Sequence, residues 1–502
     1  MQGVAATWLM TSLTSSPLPV ALLTTMASLP FFLVGLPAGA LADVMERRWL
    51  VLVTQIWMLV FAVLLGVFVA SGWMTTWLLL GFTFMLSLGG ALSAPAWQAI
   101  VPQLVPKEQL GAAIALNSAG FNLARAVGPA LGGILVAATG PASVFLLNAV
   151  SFIGVIIVIY RWQSPPVEQP KLAEGVRSAV AAGMRFARHS RPLRAVLIRT
   201  AVFVFPASAL WALLPVVANR QLGLSATGYG VLLGSIGLGA VGGASILPWL
   251  RERLSVDRLA VIFMLIFAGS MVILALIHNL IVLNAALVAV GVSWLIITSL
   301  LNVGAQTTTP DWVQARALGV YMLVFQGGFA GGSAGWGVVA GRFGEQNALL
   351  AATGLLVVGL TAALRWHLIT GEELDLSPSQ HWPEPEMVLE PQAEDGPVLV
   401  TIAYQVPEAQ QEAFCQAMGE VQIIRLRDGA TRWEMFRDGA DPERLLEAFV
   451  VSSWAEHLRQ LERSTVMDQE VEAQALALLE PGSSPVVSHF IATTCPIYAE
   501  TT

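Results

Sequence analysis

The sequence predicts an all-α polytopic membrane protein, two six-helix bundles with an incomplete first span, followed by a C-terminal α+β soluble domain. Three observations carry that prediction: a composition poor in charge, a succession of apolar runs long enough to cross a bilayer, and a reversal of charge near residue 370.

Hydrophobic residues make up 56% of the 502-residue chain and charged residues 12%, about half the charged share of a soluble domain, so most of the chain suits a non-aqueous solvent. Residues 1–370 carry 19 Lys and Arg against 9 Asp and Glu, residues 371–502 carry 7 against 24, and the two parts give the formal net charge of −7. A basic membrane unit is thus joined to an acidic tail, which nucleic acid and anionic lipid would repel. Cys415 and Cys495, both in the tail, read as free thiols with no metal-site spacing, and no cofactor is expected.

Runs of about 20 apolar residues, enough to cross a hydrocarbon core of about 30 Å, fall at 18–41, 49–71, 75–98, 115–139, 142–161, 194–217, 227–250, 257–277, 281–305, 316–340 and 348–370. Met1–Leu13 is apolar but only about 20 Å long as a helix. It is expected to be the second half of a twelfth span whose beginning is absent, as a late start or a truncation would produce.

Lys and Arg concentrate in cytoplasmic loops. One alternate set of loops holds Arg47 and Arg48, Lys107, the stretch from Arg161 through Lys171, Arg177, Arg185, Arg188 and Arg191 to Arg194, then Arg251, Arg253, Arg258 and Arg316; the other set holds Arg220 and Arg342. The first set and the acidic tail are therefore expected in the cytoplasm. Between the bundles, residues 163–193 form a linker. After Pro165, Pro166 and Pro170 it places Val176, Val180, Met184 and Ala187 at helical spacing opposite Arg177, Arg185 and Arg188, the pattern of an amphipathic helix on a membrane surface.

The halves echo each other. Gly39-Ala40 is followed eight residues on by Arg47, and Gly243-Ala244 eight residues on by Arg251, with Leu247 where the first copy has Asp43. Glycine-rich stretches recur at Gly128-Pro129-Ala-Leu-Gly132-Gly133 and at Gly327-Gly328-Phe-Ala-Gly331-Gly332-Ser-Ala-Gly335, both able to bring helix backbones close. Such internal duplication is a habit of transporters.

The loop Gly39-Ala-Leu41-Ala-Asp43-Val-Met-Glu46-Arg47-Arg48 resembles the signature loop between the second and third helices of major facilitator superfamily transporters. Asp43 at a helix end beside two guanidinium groups can form an ion network that holds a cytoplasmic gate in one of two states; Arg47 and Arg48 also serve as topogenic charges. Ala124-Arg125-Ala-Val-Gly128-Pro129-Ala-Leu-Gly132-Gly133 resembles the antiporter motif of the superfamily's exporters, with Ala124 replacing the first glycine, and that resemblance implies export. Ordinary small-residue packing also accounts for the stretch. Arg125 is an ionised group in an apolar span, either functional or snorkelling to the cytoplasmic surface; Arg199 reads as a snorkelling anchor.

If the superfamily architecture holds, spans one, four, seven and ten line a central cavity with Gln2, Trp8, Ser87, Trp97, Gln98, Phe203, Phe205, Trp211, Trp294, Thr298 and Asn302. That lining is aromatic and weakly polar, suited to a bulky amphipathic organic molecule rather than a sugar or an inorganic ion. The span interiors contain no Asp or Glu, so proton antiport follows from the resemblance and not from the residues.

After a Pro-rich acidic linker at 371–397, strands at Val398–Tyr404, Thr431–Arg437, Leu445–Val451 and Val486–Ile491 alternate with helices at Glu408–Arg427, Trp454–Arg463 and Thr465–Leu479. This order is ferredoxin-like and resembles the dimeric α/β-barrel fold of antibiotic-biosynthesis-type monooxygenases, which implies dimerisation. No Asn follows Asn347, and Trp454 and His457 read as a packing residue and an exposed group, so a regulatory or dimerising domain is expected rather than an enzyme.

Across nearly its whole length, with Pro310-Asp311-Trp312 and Ala209-Leu210-Trp211 as further typical segments, the chain resembles the enterobactin-exporter-like transmembrane secretion effector branch. The resemblance implies a bacterial inner-membrane exporter of a siderophore or drug-like molecule. An importer of the same fold and a membrane-anchored monooxygenase-like enzyme acting through the tail remain the alternatives.

Overall fold

The computed structural model describes residues 1–100, 110–162, 176–369, 374–379, 381, 382, 387 and 391–492. They form two compact units. One comprises Met1–Val176, Ala195–Val303 and Gly319–Leu368; the other comprises Arg177–Arg194, Gly304–Leu318 and Ile369–Thr502.

The first unit is helical: α1 (Gln2–Leu13), α2 (Pro17–Val44), α3 (Arg47–Ala70), α4 (Thr76–Ile100), α5 (Leu110–Thr139) and α6 (Pro141–Arg161), then most of α8 (Arg191–Val216), α9 (Ala226–Arg251), α10 (Val256–Leu276), most of α11 (Leu280–Thr307) and of α12 (Asp311–Phe343), α13 (Glu345–Gly359) and α14 (Ala362–Arg365). Local chemistry sets the ends. Pro17 and Pro141 open α2 and α6, where a fixed φ costs no hydrogen bond. The Ser225 and Ser255 hydroxyls cap α9 and α10 by accepting from the Gly228 and Arg258 N–H. Beyond Pro215, α8 runs into a π-helical turn at Val217–Gln221.

Among the described residues, nine helices are long and apolar enough to cross a membrane, against eleven expected. The described part of α5 contributes a shorter apolar stretch, Val127–Thr139. At 33 residues α12 has the length, but its repeated glycines lower its hydropathy. The last expected span also ends early. Helix α14 stops at Arg365 because Asp257 binds the following segment, its carboxylate accepting from the Leu368 N–H at 3.2 Å and lying 2.8 Å from His367 Nδ1.

The second unit is built on a four-stranded antiparallel sheet, order β2-β3-β1-β4, from β1 (Val398–Gln405), β2 (Ala430–Arg437), β3 (Arg444–Val451) and β4 (Val486–Ile491). Its helices are α15 (Gln411–Asp428), α16 (Trp454–Arg463) and α17 (Val466–Leu476), the last opened by a capping box between Thr465 and Asp468. Val400 pairs with Phe449 on one side and His489 on the other, so these side chains share a face. That face packs Val398, Val400, Ile402 and Phe449 against Phe414, Met418 and Val421 of α15. The opposite face exposes Leu399, Phe436, Val486 and Phe490.

Helix α7 (Val176–His189) belongs to this second unit. Its buried face is Ala182, Gly183, Phe186 and Ala187, which corrects the expected stripe: Met184 is 50% exposed. Phe186 meets Trp312 edge-on at 5.9 Å and lies 5.7 Å from the Arg427 guanidinium. The apolar side of this helix thus packs on protein.

Candidate functional sites

Of the sequence-predicted gating residues, Gly39 and the Asp43 side chain lie outside the described residues. Arg48 has a defined role. Its Nε and Nη2 donate to the Ile159 and Tyr160 carbonyl oxygens at 3.3 and 2.6 Å, at the end of α6, where carbonyls lack intrahelical partners and the helix dipole is negative. Arg47, the first residue of α3, is half-buried.

A second charged site joins α8 to α10. Arg199, 2% exposed, places Nη1 3.3 Å from Asp257 Oδ1, and neither of its terminal nitrogens makes a hydrogen bond of good geometry. The anchor expected to snorkel is therefore buried and ion-paired. Asp257 escaped notice because it opens its helix and lies far from Arg199 in sequence.

The glycines of α5 make a close helix crossing. A Cβ on Gly133 would come 2.7 Å from the Ala226 carbonyl oxygen and 3.0 Å from Gly230 Cα, so α5 and α9 touch backbone to backbone where both lack a side chain. Pro129 lies within α5, and its carbonyl oxygen would lie 3.1 Å from a Cβ on Gly230. Gly132 and Gly128 face Met1, while the Arg125 side chain lies outside the described residues. In α12, Gly332 makes the equivalent approach to the Phe205 carbonyl and Ser208 of α8.

Three of the expected cavity residues come together. Trp294 stands between Trp211 at 5.4 Å and Phe203 at 5.6 Å, with Phe267, Phe325 and Phe329 within 6.3 Å. Phe203 is fully buried in this cluster, and the Trp211 indole N–H is buried without an acceptor. Asn302 hydrogen-bonds Tyr321, and the Thr298 hydroxyl donates to the Trp294 carbonyl at 2.7 Å. Tyr321, Phe325 and Phe329 were missed, although their four-residue spacing on α12 is a readable stripe.

The other candidates lie elsewhere. Trp8 stacks on Tyr229 at 6.5 Å, Gln2 accepts from Asn148 Nδ2 at 2.6 Å, Trp97 and Phe205 are each 38% exposed, Ser87 is half-buried, and the Gln98 side chain lies outside the described residues.

Within the second unit, charged side chains are buried in pairs. Arg425 bridges Glu447 at 3.2 Å and Glu472 at 2.7 Å, and the Tyr404 hydroxyl and Trp433 indole donate to Glu447. Arg427 binds Asp428 at 2.7 Å and Asp468 at 2.6 Å. Glu456 receives Arg463 at 2.7 Å and Arg185 of α7 at 2.9 Å. Burial alone would raise the Glu456 carboxyl, but Arg463, Arg459 and Arg185 outweigh it and hold the group below its ordinary value. His457, expected to be exposed, is 1% exposed; burial, with His489 and Arg425 nearby, pushes it down to about 4. Cys415 is exposed and free, and Cys495 lies outside the described residues.

A multi-pass membrane protein whose helices cross on paired glycines and surround an aromatic cluster has the fold of the major facilitator transporters. The nucleoside transporter NupG shares it with a TM-score of 0.58 at 11% identity, over 73% of this chain and 94% of that one. The chain belongs to the transmembrane secretion effector family of these transporters, whose model matches residues 1–496. The chain is similar to macrolide efflux protein A of Streptococcus pyogenes, 25% identical over 223 residues, 43% of this chain and 54% of that protein. It also resembles the staphyloferrin A transporter of Staphylococcus aureus, 21% identical over 311 residues, 59% of this chain and 74% of that protein. The first of these matches thus spans about half the relative's length.

Proposed function

We propose that the protein is a secondary active exporter of a siderophore or drug-like amphipathic molecule, working by alternating access in a bacterial inner membrane. The observation that carries this reading is the cluster around Trp294, aromatic on several sides and nearly devoid of charge. Its rings meet tilted and edge-on, and the buried, unpartnered indole N–H of Trp211 is a donor that an acceptor on the substrate would satisfy once the cluster opens. Export is supported by the efflux name of a relative and by the resemblance of residues 124–133 to the antiporter motif of exporters. The arginine-rich loops support a cytoplasmic acidic tail.

Gating is assigned to Asp43 with Arg47 and Arg48 in the first half, and to Arg199 with Asp257 in the second. In the second half the support is geometric: Asp257, in the first turn of α10, lies 3.3 Å from the Arg199 guanidinium. The tail is assigned a ferredoxin-like fold, supported by the order β2-β3-β1-β4 with the helices packed on one face. Asp43→Asn tests the gate: efflux falls sharply with membrane abundance unchanged, and undiminished transport at equal abundance would remove Asp43 from the mechanism.

A further inference from the structure

The second unit holds a partly open pocket of about 300 Å³ among the sheet, α15 and α16, at the small end of the range that holds organic ligands. Val400, Ile402 and Val487 supply an aliphatic floor from the sheet, and Phe449 and Trp382 supply aromatic surface. The charged side chains in its lining, Arg425 and Asp428, are committed to Glu447, Glu472 and Arg427, so an occupant meets no unpaired charge there.

His457 Nε2 and the Ser464 hydroxyl are the exceptions among the polar groups of the lining. Gln460 Nε2 donates to the Arg425 carbonyl at 3.4 Å, which leaves Gln460 Oε1 as the acceptor facing His457 Nδ1, also at 3.4 Å. The proton therefore sits on Nδ1, and Nε2 carries a lone pair. That Nε2 is buried without a partner. A buried acceptor with no donor is destabilising, and a ligand hydroxyl or N–H would relieve it. His489 stands 4.9 Å from the His457 ring, and Trp454 packs on both.

We propose that this cavity is a sensing site for a neutral, planar aromatic molecule bearing a hydroxyl or N–H donor, bound with its donor on His457 Nε2 and its ring among Phe449, Trp382 and the sheet. The site differs from the transport cavity in position and chemistry. Its signal has a physical carrier. His457 and Gln460 turn to the cavity from the same helix that holds Arg185 through Glu456 and Trp312 through Arg463, whose guanidinium lies 4.4 Å from that indole. Arg185 and Trp312 sit on the two stretches, Arg177–Arg194 and Gly304–Leu318, through which the chain leaves and re-enters the membrane-spanning helices. Seating a ligand against α16 thus changes what holds these connections.

The test is peptide-resolved hydrogen exchange on the full chain in lipid nanodiscs, with 2-naphthol as the probe and 2-methoxynaphthalene, which lacks the donor, as its control. The expected result is protection of α16 and β4, extending to α7, by 2-naphthol. His457→Phe weakens the apparent affinity about tenfold through the lost hydrogen bond, and Leu461→Trp, which fills the cavity, abolishes it. Equal protection by both probes, no protection of α16 at saturation, or full affinity in His457→Phe would overturn the site. Protection of α16 without α7 would overturn the sensing role. None of these readings uses a transport assay, so failure of the export proposal and failure of this site are separate results.

Discussion

Arg199 of α8 and Asp257 of α10 form an ion pair in which the guanidinium is 2% exposed and the carboxylate 23%, with Nη1 and Oδ1 3.3 Å apart. A buried guanidinium held by one carboxylate is asymmetric in its consequences. Losing the acid strands a charge, whereas losing both partners removes the problem.

Asp257→Asn is accordingly expected to destabilise the protein by about 3 kcal/mol and to impair transport, while Arg199→Met/Asp257→Asn recovers most of the stability. Thermal unfolding of the two variants in detergent checks this. Equal midpoints for the single and double variants would mean that the pair is not coupled.

At the other charged site, Arg48→Ala removes two hydrogen bonds from the end of α6 and is expected to cost roughly 1 kcal/mol. Arg48→Lys, which keeps the charge without the fork, should fall between wild type and Ala in the same measurement.

Gly133→Val places side-chain carbon against the Ala226 carbonyl and Gly230. The expected outcome is a loss of about 1–3 kcal/mol from overpacking and a larger loss of transport, because α5 and α9 can no longer approach. Gly120→Val, at a position of the same helix with open space around it, should be mild in both assays.

Acid is expected to loosen the second unit. His457 has its pKa pushed down to about 4, so between about pH 6.5 and 4 the unfolded imidazole binds protons that the folded one refuses, and stability falls with pH by up to about 3 kcal/mol. Below that window Glu456, Asp468 and Glu472, all held under their ordinary values by arginines that outweigh burial, begin to protonate and withdraw their contribution as well. Hydrogen exchange of residues 398–492, corrected for intrinsic rates, should show a shallower decline from pH 6.5 to 4.5 in His457→Phe.

Much of the membrane unit was legible because bilayer thickness fixes helix length, and the boundaries of α3, α6, α9 and α10 fall within a few residues of the apolar runs. The strands of the tail were legible from alternation. Pairing between distant residues was not: nothing local marks Arg199 and Asp257 as partners. Helix α16 misled for a physical reason. Its Glu456, His457, Gln460 and Arg463 look solvated, yet all four are buried, and Arg185, the Arg425 and Asp428 carbonyls and one another pair their polar atoms apart from His457 Nε2. The stripe on α7 was likewise displaced by its packing on Trp312 and Arg427.

Outward transport is what separates an exporter from an importer of the same fold. The decisive measurement is the loss of preloaded amphipathic probes, a macrolide and a siderophore among them, from energised cells making the protein or its Asp43→Asn variant at equal abundance. Faster loss of at least one probe with the parent chain than with the variant or with empty cells is the predicted result; faster accumulation in cells making the parent chain would contradict export.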